Sequence, residues 1–185
     1  PPQYQHSVPV PPRPEQRREA TEWCIGDKPL ISAGDLARSR NILVVKLDFI
    51  GDWVLMMPFL ANLRQSAPEA EISVVVLTRV YDLARSCGFA DRVVAVDAVE
   101  AGEATFRADD ATMLDAFVAD YGAGRFDLAL VPRWDTDFNG ALRVADGSRA
   151  RQVIGFSEHS TAQRATLNAG HDRHYSAVLL EREPL

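Results

Sequence analysis

Two carboxylates and an ammonium group stand between a hydrophobic strand and a hydrophobic helix. They belong to Lys46, Asp48 and Asp52, within the stretch NILVVKLDFIGDWVLMMPFL at residues 41–60. A carboxylate at the start of a helix either caps the backbone N–H groups or faces a ligand, where it accepts a proton or holds a hydroxyl group. The residue types therefore predict helix capping or ligand chemistry at this junction, and the elements around it must distinguish the two.

Strand and helix signals alternate along the chain from residue 41 onwards. The segments 41–47 and 71–77 are β-branched and apolar on both faces, which is typical of strands covered on both sides. Three more strands are predicted at 91–97, 126–132 and 151–156, and helices at 51–68, 79–88, 112–124 and 174–182, with shorter helical turns within 32–40 and 133–148. Such alternation makes right-handed parallel crossovers, so we predict an α/β fold with a doubly wound, mainly parallel open sheet.

Composition and charge narrow the class of protein. Of 185 residues, 46% are hydrophobic and 25% are charged, as in a soluble globular protein, and the net charge of -6 argues against a nucleic-acid partner. The two cysteines, Cys24 and Cys87, form no CxxC pair, which favours a reducing cytoplasm without a disulfide or a zinc site. Residues 1–30 are proline-rich and predict a linker or arm, whereas 31–185 predict one Rossmann-like domain.

Charged side chains gather just after the predicted strands. Because ligands of open parallel sheets bind outside the carboxyl ends of the strands, this edge is the expected site. The positions are Lys46, Asp48 and Asp52; Thr78 and Arg79; Arg133, Asp135 and Asp137; and Ser157, Glu158 and His159. Polar residues are common in all loops, but the first and fourth loops hold more charge than that requires.

Most of these side chains have two readings. Lys46 either meets an anionic ligand group or pairs with Asp48, and Asp48 either orients ligand hydroxyls or shapes the turn. Trp134 is either a platform for a sugar ring or a packed anchor. Gly51 allows a tight turn and a close ligand approach. The chain has neither GxGxxG nor GxxxxGK[ST], which weakens the NAD-binding and nucleotide-hydrolysing interpretations, and no cofactor is predicted.

A metal site is not expected either. His171 and His174 are three residues apart and would share a helix face, but two histidines without further ligands make a poor metal site.

The segment ILVVKLDFIGDWVLMMPFLANLRQSAPEAEISVVVL resembles the start of the family 9 glycosyltransferases, the ADP-heptose:lipopolysaccharide heptosyltransferase group. The family pattern is a strand, Arg or Lys, one residue, Asp or Ser, and then a Gly-Asp pair before apolar residues, a proline and the first helix. The resemblance continues through DRVVAVD and FDLALVP to QVIGF and covers roughly residues 41–156. The segment RWDTD departs from the usual fourth-strand segment of the family.

The resemblance implies half of a GT-B enzyme, in which an N-terminal Rossmann-like domain holds the acceptor and a C-terminal one holds the nucleotide-sugar donor. The donor domain would be missing from this chain, which would be inactive alone. Asp52 would be the general base of an inverting transfer to a glycan or lipopolysaccharide acceptor. The acceptor would be contacted by Lys46, Asp48, Gly51, Arg133, Trp134 and Asp135. The parent protein would be cytoplasmic, with peripheral membrane association allowed.

Two other functional classes compete with this one. The domain could instead be a non-catalytic Rossmann-like interaction module of a larger protein, with residues 1–30 as its linker. It could also be an unrelated α/β enzyme that binds a small phosphorylated ligand at the same edge of the sheet. Replacing Asp52 by Asn distinguishes the glycosyltransferase from the interaction module. If Asp52 is the base, sugar transfer by the full-length parent protein should fall by orders of magnitude.

Overall fold

The computed structural model describes residues 31–96 and 125–180. Its strands are β1 (Asn41–Lys46), β2 (Glu71–Leu77), β3 (Arg92–Val96), β4 (Leu128–Val131), β5 (Gln152–Phe156) and β6 (Ala177–Leu179). Its α-helices are α1 (Ala33–Arg38), α2 (Ile50–Ser66), α3 (Tyr81–Ser86), α4 (Ala141–Gly147) and α5 (Ala162–Leu167), with 3₁₀ turns at Thr78–Val80, Glu158–Ser160 and His171–His174.

The strands form one six-stranded sheet in the order β3-β2-β1-β4-β5-β6. Every neighbouring pair is parallel, and β1 lies at the centre with β2 and β4 on either side. The strand order reverses between β1 and β4, which is the point where open sheets of this kind bind ligands. The predicted α/β, doubly wound, parallel open sheet is confirmed.

The core is built on the central strands. Residues 42–45 of β1 and 74–76 of β2 are almost wholly inaccessible to solvent, as expected for strands of a sheet that is covered on both faces. Helix α2 packs on them through Trp53, Leu60 and Leu63, which are buried. Pro58 lies inside α2, so it neither ends nor begins the regular helix.

One predicted element is wrong. The segment 174–182 was predicted as a helix, but its described part follows the 3₁₀ turn and contains β6, which pairs with β5 from Ile154 to Phe156. Its short apolar run fits either element, and hydrogen bonding along the free edge of β5 selects the strand. Helix α5 was not predicted. The predicted arm at 1–30 and the predicted helix at 112–124 lie outside the described residues.

The other predicted helices are present with adjusted bounds. The helix expected at 79–88 begins as a 3₁₀ turn and continues as α3, and Gly88 follows it with a φ of 72°, a backbone conformation that ends helices.

Within 31–96 and 125–180, no helix combines the length and the apolar character needed to cross a bilayer.

Candidate functional site

A mostly apolar pocket of about 380 Å³ opens at the carboxyl ends of four strands, beside α2. The last residues of β1, β4, β5 and β6 all reach it, which places it at the reversal of the strand order. Its lining comprises Lys46, Asp52, Leu55, Met56, Phe59, Leu130, Val131, Pro132, Trp134, Ile154, Gly155, Phe156 and Leu179. The pocket therefore joins an apolar wall to one ammonium group, one carboxylate and one indole ring.

Asp52 stands at the pocket with an exposed carboxylate. It lies in the first turn of α2, whose N-cap residue, Phe49, makes no side-chain capping hydrogen bond. Within the described part of the chain, the Asp52 side chain makes no hydrogen bond or ion pair. The capping reading of Asp52 is therefore not what the structure shows, and the carboxylate is left open to solvent and to a ligand.

Asp48 has the opposite environment. Its Oδ2 lies 2.6 Å from Lys46 Nζ, and its Oδ1 forms an ion pair with the Arg133 guanidinium. The Asp48 side chain is 2% exposed and that of Lys46 is 9% exposed. Both oxygens of this carboxylate are thus directed at cations, the buried Lys46 ammonium group and the partly buried Arg133 guanidinium. The two ion pairs join the turn after β1 to the loop after β4.

Lys46 is both a member of this ion cluster and part of the pocket lining. Burial lowers the pKa of its ammonium group to about 8, and Arg133 acts in the same direction, whereas the Asp52 carboxylate raises that pKa. Lys46 is therefore still mostly protonated at neutral pH. Burial also lowers the pKa of Arg133, against the influence of Asp137 and Asp135.

The loop at residues 133–137 carries the indole ring into the pocket. Trp134 is 58% exposed and lines the cavity. Asp135 turns back on the loop, where its Oδ1 accepts the N–H of Thr136 at 2.6 Å. Asp137 accepts the N–H groups of Ala141 and Leu142, both at 2.9 Å. The two aspartates shape the loop and cap α4, while the tryptophan faces the cavity.

Gly51 does not make the tight turn that we expected. It lies within the first turn of α2, and the glycines with positive φ in the described chain are Gly88, Gly140 and Gly170. A Cβ atom added at Gly51 would meet nothing within 4 Å, so the backbone there is open to solvent.

A second cavity, of about 420 Å³, lies beside α4 and contains neither Asp52 nor Trp134. Its polar lining includes His171 and His174, and His174 Nδ1 lies 3.2 Å from Asp146 Oδ2. Burial lowers the pKa of His171 and favours its neutral imidazole. Within 31–96 and 125–180, no three His, Cys, Asp or Glu side chains are placed to hold a metal ion.

The sequence did not point to the apolar wall of the first pocket. That wall comes from α2, through Leu55 and Phe59, and from Phe156 and Leu179 at the ends of β5 and β6. The alternation of strands and helices predicts a buried core. It does not predict which apolar residues stay outside that core and line a pocket. The exposure of Leu55, at 81%, arises because α2 is apolar on more faces than the sheet covers.

The fold and the pocket together define a Rossmann-like α/β domain with a mostly apolar pocket at its topological switch point. Solved structures with this fold include a family 9 glycosyl transferase from Veillonella parvula DSM 2008, with 23% sequence identity and a TM-score of 0.53 over 64% of this chain. They also include the E. coli heptosyltransferase WaaC, solved with ADP and with ADP-2-deoxy-2-fluoro heptose, with 16% identity, TM-scores of 0.58 and 0.59, and 78% of this chain covered.

The resemblance predicted from the sequence is thus confirmed at the level of the fold. The match covers 32% of the Veillonella structure and 43% and 44% of the two WaaC structures, so this chain spans less than half the length of each. No protein-family model matches the chain, and no curated protein does so.

Proposed function

We propose that this chain is the acceptor-binding domain of an inverting glycosyltransferase that transfers a heptose-like sugar from a nucleotide-sugar donor to a glycan or lipopolysaccharide acceptor. The observation that carries the proposal is the Asp52 carboxylate, which is exposed and unbonded within the described residues, at the mouth of the switch-point pocket. A base must reach the proton that it abstracts, and an exposed carboxylate at a pocket mouth has this access.

In this reaction Asp52 accepts the proton of the acceptor hydroxyl as that oxygen attacks the anomeric carbon of the donor sugar. The bond from the anomeric carbon to the nucleotide breaks in the same displacement, and the nucleotide leaves with the bonding electrons. Because Asp52 sits in the first turn of a long helix, its backbone position is fixed relative to the strands. The donor is bound by a second domain outside this chain.

The remaining pocket residues serve the acceptor. Trp134 offers a flat aromatic face for a sugar ring, and Lys46 offers a positive charge to an anionic group of the acceptor. Gly51 leaves room for the acceptor near the helix start. Asp48, Arg133 and Asp135 act indirectly in this arrangement, because their side chains bond to neighbouring protein groups and hold Lys46 and the 133–137 loop in place.

The experiment is sugar transfer by the intact protein that contains this domain together with its donor domain. The assay follows radiolabelled heptose from ADP-heptose to heptose-free lipopolysaccharide in the wild type and in Asp52→Asn. General-base catalysis contributes about 10²- to 10⁴-fold, so a loss of that size is expected. The matched control is Asp82→Asn, which removes an exposed carboxylate from the first turn of α3 and should leave transfer unchanged.

The outcomes separate the competing classes. Full transfer activity in Asp52→Asn would exclude Asp52 as the base. No transfer by the wild type with any nucleotide-sugar, together with no acceptor binding by the domain, would instead favour the non-catalytic interaction module.

A further inference from the structure

Arg164, on α5, is a fully buried guanidinium group, with no exposed surface. A charged group in the protein interior is costly unless its donors are satisfied. Its Nη1 donates to the carbonyl oxygen of Arg133 at 3.0 Å and to that of Asp135, and its Nη2 donates to the carbonyl oxygen of Phe156 at 3.0 Å. The guanidinium is therefore held by main-chain carbonyl groups from two neighbouring strand ends.

Two of these carbonyl groups flank Trp134. The carbonyl oxygen of Trp134 itself lies 2.6 Å from Ser160 Oγ, just before α5. Three consecutive carbonyl groups of the 133–137 loop are thus bonded by side chains from the connection between β5 and β6. The indole ring of Trp134 makes no hydrogen bond within the described residues, and it is exposed at the pocket.

We propose that Arg164 is a positioning residue that fixes the backbone on both sides of Trp134 and so presents the indole ring to the acceptor. Arg164 does not line the pocket and acts through Trp134. The planar guanidinium bonds several carbonyl groups in fixed directions, which a lysine ammonium on its flexible stem cannot reproduce. This inference rests on the proposed acceptor-binding function, because it assigns Arg164 a role in preparing that surface.

The test uses this chain labelled with 5-fluorotryptophan and followed by ¹⁹F NMR. The chain has three tryptophans, and the Trp134 and Trp23 resonances are assigned by their loss in Trp134→Phe and Trp23→Phe. The remaining resonance belongs to the buried Trp53 and reports on the core. The probe is the core oligosaccharide of heptose-free lipopolysaccharide, titrated into each variant. In Arg164→Lys the Trp134 resonance should shift or broaden while that of Trp53 stays, and the dissociation constant should rise about tenfold.

The matched control is Arg151→Lys, the same chemical change at a side chain that is 84% exposed, at the opposite end of β5. It should change neither the Trp134 resonance nor the affinity. If Arg164→Lys does not fold, Ser160→Ala gives the same test without altering a buried charge. It removes the hydroxyl group that contacts the carbonyl oxygens of Trp134 and Ser157, and it should shift the Trp134 resonance and weaken binding about twofold to threefold.

The results distinguish a failure of the proposed acceptor site from a failure of the proposed positioning role of Arg164. Binding by Trp134→Ala, which removes the aromatic ring, tests the site itself. If Trp134→Ala binds the oligosaccharide as tightly as the wild type, the proposed acceptor-binding role of Trp134 is wrong. If Trp134→Ala weakens binding but Arg164→Lys, or Ser160→Ala where Arg164→Lys does not fold, leaves the Trp134 resonance and the affinity unchanged, the positioning role is overturned and the acceptor site stands.

Discussion

Lys46 Nζ lies 2.6 Å from Asp48 Oδ2, and this buried pair distinguishes two carboxylates that the sequence places only four positions apart. Asp48 is held between Lys46 and Arg133 inside the protein, whereas Asp52 remains exposed at the pocket. The same cluster keeps a positive charge beside Asp52. One carboxylate therefore organises the turn after β1, and the other is available for chemistry.

Asp48→Asn should lower the free energy of unfolding by about 3–5 kcal/mol, because it leaves the buried Lys46 ammonium group and the partly buried Arg133 guanidinium without their shared carboxylate. Urea unfolding measures the loss. Glu71→Gln is the control, because it breaks an ion pair to Arg92 in which both side chains are almost half exposed, and it should cost about 0–1 kcal/mol. Equal losses in the two variants would show that the Asp48 cluster is not a buried network.

Gly155→Ala should destabilise the domain by about 1–3 kcal/mol, since a Cβ atom there would stand 2.5 Å from Tyr175 Cε1. Thermal unfolding followed by circular dichroism provides the measurement. Gly51→Ala is the matched comparison. It adds the same methyl group to a helical position with free space, and stability should rise by about 0.5–1 kcal/mol. A stable Gly155→Ala variant would mean that Tyr175 does not pack on this strand as described.

The domain should lose stability as the pH falls through the usual imidazole pKa of 6.5, because burial lowers the pKa of His171 in the folded state. Between the folded and unfolded pKa values, the unfolded chain binds more protons, so the unfolding free energy decreases with decreasing pH in that window. Urea midpoints at pH 7.5, 6.5 and 5.5 test this.

His171→Gln should reduce this pH dependence. His159→Gln should leave it unchanged, because the His159 side chain is 65% exposed. An identical pH profile for the wild type and His171→Gln would remove His171 as its cause.

The sequence predicted the central strands of the sheet better than the edge strand β6. Strands β1 and β2 were found because residues 42–45 and 74–76 are apolar on both faces, a pattern that helices and loops rarely share. The strand β6 was mistaken for a helix, since three residues are too few to show a period and only pairing with β5 defines them. The local apolar pattern of the sequence therefore identifies the central strands, whereas the edge strand β6 is defined by its pairing with β5.

The site was predictable only in part, for a similar reason. Lys46, Asp52 and Trp134 were placed correctly at the ends of strands, because the strand positions fix where these loops lie. That Asp48 is buried depends on Arg133, which is far away in sequence and adjacent in the fold. The burial of Arg164 could not be predicted, because an arginine in a polar segment is usually exposed to solvent. Its carbonyl partners come from residues that are distant in the sequence.

A crystal structure of this chain with the core oligosaccharide of heptose-free lipopolysaccharide tests the proposed role of Asp52 as the general base most directly. We expect the sugar to lie on Trp134 and its reacting hydroxyl oxygen to stand about 2.6–3.2 Å from an Asp52 carboxylate oxygen, or to reach it through one water molecule. An oligosaccharide bound in the switch-point pocket with all hydroxyl groups beyond that reach of Asp52, or bound only in the cavity beside α4, would contradict it.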